Sequence, residues 1–247
     1  MPTLSATMCR WLAAILCSGV VVASAQNHAL PQEIEVIARL QPPNSTASER
    51  QHSAATQAAV LWLKPLTPGQ TIPPVAPPRG GYTLLQKNKM FSPRLLVVPT
   101  GSVVMFPNAD PFFHNVFSLF DGQRFDLGLY EAGKTKAVAF SREGISYIFC
   151  NIHSEMSAVV VSLSTPFYSI ADSDGGFHIQ GVPPGDYEMH LWAEGAQQVI
   201  LDQRVRRVHI SPDSRNLGTI LLDSSPTPLQ HTNKFGQPYD RNVKPVY

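Results

Sequence analysis

The chain has 247 residues, 43% of them hydrophobic, with 19 basic and 18 acidic side chains and a net charge of +1 when histidine is neutral. A balance that close provides no basic footprint for nucleic acid or for an anionic membrane surface. The length suffices for one large or two small domains with their own cores, while 22 prolines and 16 glycines interrupt it too often for long helices.

The first element in chain order is Arg10 followed by the apolar run WLAAILCSGVVVASA. A basic start, a short apolar core and a small-x-small end predict a secretory signal peptide over residues 1–25, cut after Ala25. The run is too short for a membrane-spanning helix and polar sequence follows it. Leu16 before Cys17 excludes a lipoprotein signal, which needs a small residue there. The expected location is the periplasm or the exterior. Cleavage removes Cys9 and Cys17, which leaves Cys150 alone in the mature chain. No internal disulfide is then available. The thiol pairs with another chain, lies buried and inert, or is held as a thiolate by a metal. Arg10 leaves with the signal, so the mature charges balance.

In residues 26–66, EIEVIARL alternates as a half-buried strand does, a polar loop QPPNSTASERQHSAATQ follows, and AAVLWL reads as a second strand. Asn44-Ser45-Thr46 in that loop fits a glycosylation acceptor, a weak signal in a bacterial-looking exported chain. Residues 67–79 are rich in proline and read as a stiff linker. Residues 80–163 hold RLLVVP, SVVMFPN, HNVFSLF, KAVAF, YIFC and AVVVSL, short runs at the spacing of a small Greek-key sandwich. Residues 164–223 bring strand and turn signals in quick succession. The segment DSDGG resembles the start of a calcium loop, but the twelfth position counted from Asp172 is Pro183 rather than the required glutamate, so a hairpin turn is expected. Residues 224–247 lack apolar periodicity and read as an extended or disordered tail.

The segment CNIHSEM places Cys150, His153 and Met156 at three-residue steps. A soft thiolate, an imidazole and a thioether suit copper better than zinc or magnesium, and a trigonal Cys-His-His site with a distant methionine lacks only a second histidine. His114, in FPNADPFFHNVFS, opens a strand upstream and is the candidate, because strand ends from separate hairpins meet at one pole of a sandwich. Taken singly, each residue reads as core. Together, in a mature chain with one cysteine, they point to a metal.

Residues 80–163 resemble a cupredoxin, of the plastocyanin and amicyanin family, through FPNADPFFHNV, AFSREGISYIFC and CNIHSEM. The short ligand loop is similar to that of amicyanin. The wider stretches QKNKMFSPRLLVVPTGSVVMFPN and FDLGLYEAGKTKAVAF resemble bacterial proteins labelled methylamine-utilisation or plastocyanin-like. The resemblance implies a cupredoxin Greek-key β-sandwich holding one mononuclear copper ion. His114, Cys150 and His153 would be equatorial ligands and Met156 the axial one. Asn115 would bond from its side chain across to the cysteine loop. His153 would lie near the surface as the electron port, with Pro111, Phe112, Phe113 and Ile152 as a docking patch for a transient redox partner.

The stretch ADSDGGFHIQGVPPGDYEMHLWAEG resembles the carboxypeptidase regulatory-like, transthyretin-type β-sandwich. Such domains usually start with a strand pair that this block lacks and that residues 26–66 could supply, which would insert the cupredoxin into a sandwich built from both chain ends. The fold expected is thus all-β, a cupredoxin Greek-key sandwich plus a second small β-sandwich. The function expected is an exported one-electron carrier, with copper delivery or partner binding as the alternative. Enzymatic activity is not expected. A multicopper oxidase needs His-x-His pairs and a binuclear copper site needs two cysteines, and the mature chain offers neither.

Overall fold

The structure is a computed structural model that describes residues 33–41, 58–70, 72–119, 122–222 and 231–239. The expected signal peptide and the Asn44-Ser45-Thr46 motif lie outside the described residues. No helix among those residues is long and apolar enough to cross a membrane.

The strands in chain order are β1 (Ile34–Gln41), β2 (Ala59–Pro65), β3 (Tyr82–Thr83), β4 (Leu85–Lys87), β5 (Met90–Ser92), β6 (Leu95–Pro99), β7 (Ser102–Pro107), β8 (His114–Ser118), β9 (Phe125–Tyr130), β10 (Thr135–Phe140), β11 (Gly144–Cys150) and β12 (Ser157–Leu163). After these come β13 (Tyr168–Ile170), β14 (Gly176–Val182), β15 (Gly185–Ala193), the five-residue helix α1 (Gln198–Asp202), β16 (Arg206–Ile210) and β17 (Asn216–Leu221). The all-β expectation holds. Three pieces escaped the reading of apolar runs: the two-residue β3, the β4–β5 hairpin, whose strands have three residues each, and β9, whose residues are half-buried or exposed except Tyr130.

Two sheets, ordered β10-β7-β3 and β6-β12-β11-β8-β9, enclose a core that includes Leu84, Val104, Phe106, Val116, Ile148 and Val160. Two others, β14-β1-β17 and β13-β2-β15-β16, enclose a second core with Val36, Leu61, Leu63, Phe177, Tyr187 and Met189. In these, β1 stands between β14 and β17, and β2 between β13 and β15, so residues 34–65 supply the middle strand of one sheet and an inner strand of the other.

The two sheet pairs share a wall. Along β12, Ala158 and Val160 belong to the first core, whereas Val159, Val161 and Leu163 belong to the second. Successive side chains of a strand point to opposite faces, so β12 is buried on both. Across that wall, Trp192 Nε1 donates to Tyr147 Oη at 3.2 Å. At its edges Arg94 pairs with Glu194 at 2.5 Å and Lys64 with Glu143 at 3.1 Å. Both pairs are solvated and add little to stability; the buried apolar faces hold the layers together.

Candidate metal centre

The site lies at one end of the first sheet pair, where β8 begins and β11 ends. Cys150 is the last residue of β11 and pairs with Val116 of β8, which brings His114 alongside it. The chain then turns tightly through residues 151–156: Asn151 N donates to Asn115 O at 2.8 Å, Met156 N to His153 O at 3.1 Å, and Cys150 N to Met156 O at 3.3 Å. That turn returns His153 to the sulfur. Nδ1 of His114 and Nδ1 of His153 each stand 3.6 Å from Cys150 Sγ, and the ligating atoms of the three residues all lie within 4.8 Å of one another. His114, Cys150 and Met156 are fully buried and His153 is 3% exposed.

A neutral thiol has a single proton and can satisfy one imidazole lone pair, not two. One ion at the centre would satisfy all three atoms. Bond lengths of about 2.3 Å to sulfur and about 2.0 Å to nitrogen place the two roughly 3.5–3.7 Å apart at tetrahedral or trigonal angles. The observed separations match. Met156 is buried in the same apolar core cluster as Cys150.

Asp110, which the sequence reading passed over, fixes the first histidine. Its Oδ2 lies 3.0 Å from His114 Nε2, so neutral His114 carries its proton there and presents a lone pair at Nδ1. The carboxylate is itself held by Asn88 N at 2.6 Å and Lys89 N at 3.0 Å, while Asp110 N donates to Asn108 Oδ1 at 3.0 Å. Asn88 and Lys89 are the two central residues of the β4–β5 hairpin, both with φ of 57°. That left-handed pair is the conformation a two-residue turn between twisted strands requires. It aims two adjacent N–H groups at one carboxylate. The signal was present in FPNADPFFH as an acid four residues before the histidine.

Burial dominates the electrostatics. It pushes the Cys150 thiol up, against main-chain N–H groups of Asn115, Ile152 and His153 that favour the thiolate. Burial lowers His114 against the pull of Asp110, and burial together with the neighbouring His114 takes His153 down to about 4. At neutral pH the three donors are therefore uncharged in the absence of a cation, and a cation held by them would displace the thiol proton.

Two expectations require correction. His153 is not at the surface. The ring of Phe112 lies 5.4 Å from the imidazoles of both His153 and His114, and covers them. Asn115 does not use its side-chain amide on the cysteine loop. Its Nδ2 donates to Asp126 Oδ1 at 2.7 Å, and its main-chain carbonyl is what reaches Asn151. Of the expected docking patch, Pro111 and Phe113 are exposed, whereas Phe112 and Ile152 are half-buried.

The sequence reading gave no role to the segment 231–239, expected to be part of an extended or disordered tail. His231 stacks on Phe149 with centroids 4.0 Å apart and planes 20° from parallel, and Tyr239 Oη donates to Cys150 O at 2.7 Å. No apolar periodicity marks these residues, because they bind through hydrogen bonds and a ring face.

The chain matches no protein-family model and no curated protein. Among solved structures it is similar to a purple cupredoxin from Nitrosopumilus maritimus, with 22% identity and a TM-score of 0.31 over 33% of this chain and 99% of the other. It is also similar to a reduced amicyanin variant, with 20% identity and a TM-score of 0.32 over 38% of this chain and 97% of the other. A copper-containing nitrite reductase from Thermus scotoductus aligns with 21% identity and a TM-score of 0.32, over 40% of this chain and 25% of that enzyme.

Proposed function

We propose that the protein is an exported type 1 copper protein that carries one electron at a time. His114, Cys150 and His153 hold the ion, with Met156 as the weak fourth donor. The observation that carries this reading is the fully buried Cys150 sulfur with the Nδ1 atoms of two histidines each 3.6 Å away. Of the metals such a site could take, copper best suits a thiolate, two imidazoles and a thioether. Bound copper supplies reversible one-electron chemistry.

The chain's own residues supply the rest. Asp110 sets the proton and orientation of His114, three main-chain N–H groups favour the thiolate, and the ring of Phe112 packs beside both imidazoles. Burial this complete suits an ion that stays and exchanges electrons better than one handed to a partner. Donors that are buried among the described residues also favour a carrier over an enzyme. With His153 covered, the electron would cross the face made by Phe112, beside exposed Pro111 and Phe113, which would meet a redox partner in brief apolar encounters.

The test is the absorption and paramagnetic resonance spectrum of the Cu(II)-loaded mature protein. A strong visible thiolate-to-Cu(II) band is expected. Cys150→Ser should abolish it, and Met156→Leu should keep the colour with a shifted potential. A colourless loaded wild type, or a Cys150→Ser variant that keeps the band, overturns the reading.

A further inference from the structure

The segment 231–239 belongs to none of the sheets, yet its polar groups are directed at the Cys150–Met156 loop and the residues beside it. Tyr239 Oη donates to Cys150 O at 2.7 Å and lies 3.1 Å from His231 Nδ1. His231 Nε2 lies 2.8 Å from Ser154 O, and its ring covers Phe149, the residue before the cysteine. Lys234 N donates to Asn151 Oδ1 at 2.8 Å, and Lys234 Nζ to Asp126 Oδ2 at 2.8 Å. Asp126 is the residue that also receives the Asn115 amide. The loop is thus gripped at Cys150, Asn151 and Ser154, and its flank at Phe149 and Asp126.

Carbonyl groups in a tight loop need partners that no strand ladder provides. Here Cys150 O and Ser154 O find them in a piece of chain that returns from beyond β17. Ordering that piece costs on the order of 1–2 kcal/mol per residue in backbone entropy alone, so its contacts must repay the loss. Those contacts are made to the ligand loop and its flanks.

We propose that residues 231–239 form a strap that holds the Cys150–Met156 loop in its ligating conformation, with Tyr239 and His231 as positioning residues for Cys150 and for the turn that carries His153. The strap preorganises the loop before any ion enters; only its effect on metal retention rests on the copper reading above.

The experiment compares the mature wild type, Tyr239→Phe, which keeps the ring and removes the hydroxyl, and a chain ending at residue 230. The first measurement is amide hydrogen exchange of the metal-free protein. Loop amides of Cys150, Asn151 and Met156 should exchange about five-fold faster in Tyr239→Phe, the effect of one hydrogen bond, and faster still in the shortened chain. The β7–β10 ladder, such as Val104 opposite Val138, should keep its rates. The second measurement is release of copper to a chelator after loading, expected to quicken about five-fold in Tyr239→Phe. Unchanged loop exchange in Tyr239→Phe overturns the strap, whether or not the shortened chain folds. Faster loop exchange in a protein whose wild type shows no thiolate-to-Cu(II) band keeps the strap and removes the copper reading.

Discussion

Asp110 accepts from His114 Nε2 and from two main-chain N–H groups at once. Asp110→Ala would leave buried donors without an acceptor and free the imidazole to rotate. The expected cost is about 2 kcal/mol in unfolding free energy by urea titration, together with about a 10–100-fold loss of copper affinity by competition with a chelator. Asp110→Asn should recover much of the stability, because one oxygen remains to accept. It should recover less of the affinity, because the negative charge behind the imidazole is gone. Equal affinity in wild type and Asp110→Ala would show that the carboxylate has no part in the site.

Elements show the same dependence on neighbours. The turn after β13 is closed by Asp172, whose Oδ1 accepts from Asp174 N at 2.8 Å and Gly176 N at 2.7 Å. A Cβ at Gly176 would stand 2.6 Å from Asp172 Oδ2, so the close approach needs glycine. The Gly176 N–H, more than any other group, holds the Asp172 carboxyl below its ordinary value. A depressed folded value means that this stabilisation is present above the unfolded pKa and lost as pH falls through the folded one. Asp172→Ala should therefore cost about 1 kcal/mol at neutral pH, and the gap to wild type in urea unfolding should close on strong acidification. Strand β12 gives a second prediction. Val160 and Val161 face different cores, so each valine changed to alanine should cost about 1–3 kcal/mol. A two-layer sandwich would lose stability at one of them only.

For the whole molecule, the shared wall means that neither sheet pair is finished alone. An isolated fragment of residues 80–163 retains β3 to β12 but exposes Val159, Val161 and Leu163 together with Tyr147 and Ile145, which pack on the second core. Contiguous apolar surface of that kind drives association. The fragment should bind a hydrophobic dye and self-associate in sedimentation, whereas the mature chain does not; a monomeric fragment that ignores the dye would contradict the layered arrangement.

The residues themselves determined much about this protein. Alternating apolar runs between prolines and glycines foretold strands, since a pleat of period two writes itself into local sequence. The spacing of Cys150 and His153, with a histidine at the start of an upstream strand, pointed to the three side chains that the fold brings within 4.8 Å of one another, because ligand chemistry depends on side-chain type. Tertiary structure decided what depends on neighbours distant in the chain. It covered His153 with Phe112, turned the Asn115 amide to Asp126, and backed His114 with Asp110 held by a distant hairpin. It also buried both faces of β12 and drew residues 231–239 over the ligand loop. None of these has a local period, because burial and hydrogen-bond partnership are properties of pairs, and such pairs exist only once the chain has folded.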